Sequence, residues 1–184
     1  MTPRPDIVHA FSFSWRWCMP SPDTLSMDPA RAVVDKYAAN ASVIVDPFAR
    51  NCRIGTHTND LNPNTSAQYH MHADDFLRML ADDGVRADLV IFDPPYSPRQ
   101  VSECYADAGL RAGMQDTQTA RLKKRCRAAI GRLIRPGGHV ISFGWNTTGM
   151  GTGYARKEII ALCHGGDHND TLITVDMAVQ GLLL

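Results

Sequence analysis

The chain has 184 residues, 19 Lys and Arg against 19 Asp and Glu, and a formal net charge of zero. That length suits one domain with one substantial core and is short for two. With 44% hydrophobic and 21% charged residues, and no apolar run near the roughly 20 residues of a membrane span, the composition predicts a globular protein that does not cross a membrane. The neutral balance gives no global electrostatic case for nucleic acid, so any such case must be local.

Residues 1–19 mix Pro, Asp, His and Arg with aromatics and lack the basic-then-apolar order of a signal peptide. Cys18, Cys52, Cys104, Cys126 and Cys163 are odd in number, widely spaced and form no Cys-x-x-Cys pair, which predicts reduced thiols and a cytoplasmic protein. His164 and His168, and likewise His70 and His72, are close in sequence, but no cysteine cluster completes a ligand set. They are expected to be turn and strand histidines, with no metal bound.

Taken along the chain, Asp28-Pro29-Ala30-Arg31 opens a helix through Tyr37, with Asp28 as N-cap and Pro29 in the first turn. Ser42-Val43-Ile44-Val45 reads as a buried strand closing on Asp46-Pro47, followed by a short strand over 56–60 and another candidate over 67–71. Residues 75–81 read as a short helix. Asp88-Leu89-Val90-Ile91-Phe92 is a second buried strand, closing on Asp93-Pro94-Pro95. From 121 to 135 seven Lys and Arg occur without an acid, while Leu122, Cys126, Ala129, Ile130 and Leu133 recur at helical spacing. This is an amphipathic helix with a basic outer face, either solvated or touching phosphate. Arg135-Pro136-Gly137-Gly138 stops that helix before a strand over 139–143. The runs 158–163 and 171–175 flank a polar, Gly-containing turn and predict an antiparallel hairpin. The order is that of a parallel α/β sheet, and in such sheets ligands bind at the C-terminal strand ends, here between Asp46 and Asp93.

Asp93-Pro94-Pro95-Tyr96 is the strongest signal. The lone pair of an aromatic exocyclic amine is delocalised into its ring, so a catalyst must hold the nitrogen in a more tetrahedral form. The Asp93 carboxylate and the Pro94 carbonyl offer two acceptors for its two hydrogens. Consecutive prolines fix φ and bring no competing N–H. Tyr96 can stack on an extruded base.

With these residues in place, the sequence resembles the amino-methyltransferases of DNA, whose hallmark is Asp/Asn/Ser-Pro-Pro-aromatic after the fourth strand. The segments 93–105, 140–146 and 164–171 resemble small phage and prophage DNA methyltransferases in particular. The resemblance implies a seven-stranded, Rossmann-like class I methyltransferase sheet, six strands parallel and one antiparallel through the C-terminal hairpin. It implies one domain over 1–184, with 1–40 a cofactor-covering segment and helix and 42–184 the catalytic sheet core.

The same resemblance implies S-adenosylmethionine as cofactor and methyl transfer to a DNA base, adenine N6 before cytosine N4, with Asp93, Pro94, Pro95 and Tyr96 as catalytic residues. Asp46, Pro47, Phe48 and Ala49 match the family's first motif, although Arg50 and Cys52 stand where it has glycine. Asp60 takes the place of the acid that accepts from the ribose hydroxyls. Asp75 with Phe76 takes that of the adenine-binding pair, with Asp74 an equal contender by register and His72 another. Trp17, with Trp15, precedes the first buried strand, where the family keeps a segment that folds over the cofactor. DNA is the implied substrate, the chain a monomer or homodimer. Methylation of RNA or of a protein amide, or a silent nucleic-acid-binding partner subunit, are the alternatives. The irregular stretches 97–119 and 146–157 would contact a short or degenerate target, with Arg99, Arg111 and Arg156 available to phosphates.

Overall fold

The computed structural model describes residues 11–114 and 116–179. The first ten residues of the N-terminal stretch considered above therefore lie outside the described residues.

A single sheet of seven strands carries the fold: β1 (Ser12–Trp17), β2 (Ile44–Asp46), β3 (His57–Thr58), β4 (Ala87–Phe92), β5 (Ile134–Gly144), β6 (Tyr154–Cys163) and β7 (Thr171–Ala178). Their spatial order is β1-β6-β7-β5-β4-β2-β3. β7 runs antiparallel to both of its neighbours and every other pairing is parallel. The expected count and the antiparallel hairpin are therefore present. The seventh strand, however, is β1 on the edge beside β6, not the segment 67–71. That segment contributes only an isolated bridge between Asn59 and Tyr69. Beyond the backbone bonds of Gln68 and Tyr69 to Thr58 and Asp60, a side chain takes over: Met71 donates its N–H to Asn59 Oδ1 at 3.1 Å and accepts from Asn59 Nδ2 at 3.0 Å.

Helix α1 (Asp28–Ala38) begins one residue earlier than expected, with Met27 as N-cap and Asp28 inside the first turn. It covers one sheet face, where Ala30 and Val34 meet Ile44, Leu89, Ile91, Ile141 and Val175. On the other face lie α2 (Ala73–Asp82) and α4 (Thr119–Leu133), whose buried residues fall at helical spacing. Phe76, Leu77, Leu80, Ile130 and Leu133 pack there on Val45, Val90 and Val140.

Two expectations change. The stretch 97–119 is not irregular throughout: Ser97 caps a further helix, α3 (Pro98–Asp107), by accepting from Gln100 N. Residues 135–138 are drawn into β5 as a bulge opposite Asp88, with Gly137 at φ +78°. A side chain at Gly138 would stand 3.0 Å from the Ala87 carbonyl, so only glycine fits that approach.

Candidate active site

The sheet places the two acid-proline turns side by side. β2 and β4 are adjacent and parallel, with Val45 beside Val90, so Asp46 and Asp93 leave the sheet at the same edge. Asp46 is only 1% exposed and its Oδ1 accepts from Phe48 N at 3.1 Å. Burial, with Asp93 and Asp60 nearby, pushes its carboxyl up to about 8.

The first-motif loop is held from beneath by Asn59, a residue the motif comparison passed over although it directly precedes Asp60. Fully buried, Asn59 donates to the Pro47 carbonyl at 3.1 Å, its backbone N–H bonds the Asp46 carbonyl, and its own carbonyl accepts from Ala49 N. Pro47 and Ala49 are buried in this loop, and Phe48 tilts against Phe92 with ring centres 6.0 Å apart. Arg50 has φ +49°, the left-handed conformation that favours glycine. The loop thus has the shape of the glycine turn, and the Arg50 side chain leaves it to donate to the Pro22 carbonyl at 2.8 Å. Cys52, at the second glycine position, has no such backbone requirement. Asp60 lies beside the loop, accepting from Arg50 N at 3.0 Å and from Asn62 N at 2.8 Å in an Asx turn.

Asp93 follows β4 directly. The Tyr96 hydroxyl donates to its Oδ1 at 2.5 Å, and Tyr96 N donates to Gln100 Oε1 at 2.6 Å. Burial raises the Asp93 pKa, partly offset by Tyr96 and by Thr24 from the turn before α1. The Tyr96 hydroxyl is itself held well above its usual range, by burial and by the carboxylate. Trp145 meets the Tyr96 ring edge-on at 5.6 Å, and the Lys123 ammonium of α4 lies 5.8 Å from its centre. Phe92, Pro94, Lys123, Arg127, Ser142 and Thr174 are among the residues lining a small cleft behind the motif. No local signal marked Ser142 or Thr174, because their neighbourhood is made by β4, β5 and β7 together.

Three expected cofactor residues fall elsewhere. Trp17 ends β1, five strand positions from β2, which is about 24 Å at ordinary strand spacing. Pairing with β6 draws 12–17 to the far edge, and Trp17 is out of the site. The N-terminal segment still reaches the site, through Pro22 and Thr24. Phe76 is fully buried under Tyr69, inside the core rather than at a ligand surface. Asp75 points outward from α2 and pairs with Arg78, because the helical period turns 76 and 77 inward and 75 and 78 out. Asp74 is buried against Arg125 at 2.9 Å. His72, exposed at the N-cap of α2, meets Tyr105 of α3 with ring centres 5.8 Å apart.

The basic face of α4 is partly neutralised, since Arg125 pairs with Asp74 and Arg132 with Asp82. Arg156 pairs with buried Asp176 at 2.5 Å and bonds the Thr147 carbonyl, so it does not stand ready for phosphate. Arg99 pairs with Glu103. Among the described residues no group of three or more His, Cys, Asp and Glu is placed to hold a metal. His164 is instead a structural link, bonding the Cys18 carbonyl and Thr171 Oγ1 at 3.0 Å each. No described helix is long and apolar enough to cross a membrane.

No family model matches the chain, and no curated protein matches it in sequence. Solved structures do match its fold. NSun6 from Pyrococcus horikoshii, crystallised with SFG, superposes with a TM-score of 0.54 at 14% identity over 81% of this chain and 51% of its own. SMU.776, described as a methyltransferase and complexed with SAH, gives 0.52 at 12% identity over 80% and 49%. YhhF from Escherichia coli gives 0.51 at 11% identity over 88% of this chain and 92% of its own. The chain spans about half the length of the first two. At such identities the likeness establishes the architecture, the class I methyltransferase sheet.

Proposed function

We propose that the chain is an S-adenosylmethionine-dependent methyltransferase acting on an exocyclic amino group of a nucleic-acid base, with adenine N6 in DNA its first candidate. One observation carries the reading: Asp93-Pro94-Pro95-Tyr96 stands at the C-terminal end of β4, beside the Asp46 turn of the adjacent strand. Two of the structures that share its fold were crystallised with SFG or SAH, which supports the cofactor assignment.

The loop between β2 and β3 fits that cofactor. Arg50 gives it the left-handed turn that glycine would give. Asp60 offers a carboxylate whose partners are two backbone N–H groups, leaving lone pairs for hydroxyl donors. Asp46, Pro47, Phe48, Ala49 and Asp60 would hold the ligand, which supplies an electrophilic methyl group. The altered glycine positions favoured a silent subunit; the retained turn at Arg50 counts against it.

Asp93 accepts one hydrogen of the target amine and the Pro94 carbonyl the other, which turns the nitrogen lone pair toward the methyl. Tyr96, donating to Oδ1, and Thr24 fix the carboxylate, and its remaining lone pairs serve the substrate. Lys123 lies over the Tyr96 ring, so a stacked base takes the place of that ammonium or uses the other side. Orientation supplies most of the acceleration, with no covalent intermediate.

Incubation of the purified chain with methyl-tritiated cofactor and DNA, RNA or protein, followed by nucleoside mass spectrometry, tests the reading. N6-methyladenine in DNA is the expected product. Label confined to protein would end the nucleic-acid assignment, and failure of the cofactor to bind in calorimetry would end the methyltransferase one.

A further inference from the structure

Two half-buried cations on the sheet-facing side of α4 take no part in the methyl transfer itself, although the Lys123 ammonium also lies over the Tyr96 ring. Lys123 and Arg127 are one helical turn apart and line the cleft behind Pro94. Neither has an ion-pair partner among the described residues. Burial lowers the pKa of each and Arg127 adds repulsion at Lys123, partly offset by the more distant Asp93 at Lys123 and Asp176 at Arg127. The cleft floor is equally unsatisfied. Arg127 Nε, Ser142 Oγ and Thr174 Oγ1 are buried without a hydrogen-bond partner, and all three residues line this same cleft. Ser142 is 7% exposed and Thr174 1%. Gly149, at φ +55°, also lines the cleft, and a Cβ there would collide with the Asp176 carboxylate and the Arg156 guanidinium as well as standing 3.0 Å from Thr174 Oγ1.

A cleft of about 20 Å³ admits one oxygen-sized group. Arginine and lysine can only donate, and both hydroxyls can donate, so the complement is an acceptor, and two cations without a directly paired carboxylate make it an anionic one. In a nucleic acid the anionic oxygens are those of the phosphates. We propose that Lys123, Arg127, Ser142 and Thr174 form an oxyanion site that takes one non-bridging oxygen of a phosphodiester flanking the target nucleotide. This rests on the nucleic-acid reading above. Its effect would be to anchor the strand beside Asp93, so that a base swung out from it meets the catalytic acceptors.

Anisotropy titrations of labelled adenine-containing oligonucleotides with the full chain, at several salt concentrations, test it. Arg127→Gln, shown folded by circular dichroism, should weaken binding about tenfold, as when a charge-assisted hydrogen bond is lost. It should also reduce the slope of log affinity against log salt by about 0.7 to 0.9, one phosphate contact. Ser142→Ala should weaken binding a few-fold and leave the slope alone. Replacing one phosphate by neutral methylphosphonate should hurt the parent protein at a single position and add nothing to Arg127→Gln there. Cofactor affinity in calorimetry should be unchanged in both variants.

Unchanged affinity and slope in Arg127→Gln would overturn the site, as would methylphosphonate losses that add to the variant's at every position. Inorganic phosphate or a nucleoside monophosphate bound as tightly as the oligonucleotide would overturn the phosphodiester assignment. Arg127-dependent binding without methyl transfer to any nucleic acid would instead leave the site standing and remove the proposed activity.

Discussion

At the scale of single residues, buried acids set the behaviour of the site. Asp93 must be ionised to accept from an amine, and its burial raises its pKa. The rate should therefore fall on the acid side with a midpoint above the ordinary carboxylate value of about 4, measurable as the pH profile of kcat. Asp93→Ala should lower transfer by about 10² to 10³ or more while cofactor affinity stays within a few-fold; a folded variant with the parent rate would refute the mechanism. Asp46 bears on stability. Its folded-state pKa is about 8, far above the ordinary carboxylate value of about 4, so the native chain keeps a proton that the unfolded chain has released. Its contribution is complete below about pH 4 and is lost as pH rises toward 8. Asp46→Asn, which can still accept from Phe48 N, should remove that slope and gain at least about 1 kcal/mol near pH 8, the worth of one pKa unit. Urea denaturation of both proteins across this pH range would show it, and parallel curves would discount the buried charge.

At the scale of elements, the site depends on how loops are tied to strands. Asn59 joins β3, the Pro47 turn and Met71 through three side-chain hydrogen bonds. Asn59→Ala leaves two carbonyls and one N–H without those partners, so a loss of about 2–4 kcal/mol is expected, at about 1 kcal/mol or more for each buried group. Denaturant titration checks this, and a loss below about 1 kcal/mol would mean that water replaces the side chain. The basic helix divides by face in the same way. Arg125 and Arg132 answer acids of α2, whereas Lys123 and Arg127 face the sheet. One amphipathic pattern thus holds structural and unpaired cations at once.

At the scale of the whole molecule, the sheet is asymmetric in its cover. β1 closes one edge with Phe13, Trp15 and Trp17 all exposed, Trp15 at 63% and Trp17 at 62%, and Trp145 is 42% exposed. All three tryptophans being accessible, emission close to that of free tryptophan and ready quenching by acrylamide are expected of the folded chain. Blue-shifted, protected emission would mean that this aromatic stripe is covered in solution. The stripe also explains why the aromatics before α1 misled the cofactor assignment. Alternation of Phe13, Trp15 and Trp17 with Ser12, Ser14 and Arg16 is a strand pattern, and parallel pairing with β6 takes it to the far edge.

The sequence alone determined what is local or periodic. Buried runs such as Leu89-Val90-Ile91-Phe92, the helical spacing of Cys126, Ala129, Ile130 and Leu133, and the turn chemistry of 164–170 each state their element within a few residues. Asp93-Pro94-Pro95-Tyr96 was legible for the same reason, since its groups act as one short rigid turn. Boundaries were less so: the Arg135-Pro136-Gly137-Gly138 stop became a bulge in β5 because Asp88 and Ala87 on the neighbouring strand accommodate it. Only the tertiary structure decided which side chains share a space. Asp75 and Phe76 matched a motif in register, yet the rotation of α2 buries one in the core and turns the other to solvent. Ser142 and Thr174 stand far from each other and from Lys123 and Arg127 in the chain, and their cleft exists only because β5 pairs with both β4 and β7 beneath α4. Pairing partners are chosen by the buried area of the whole sheet, a quantity that no single segment carries.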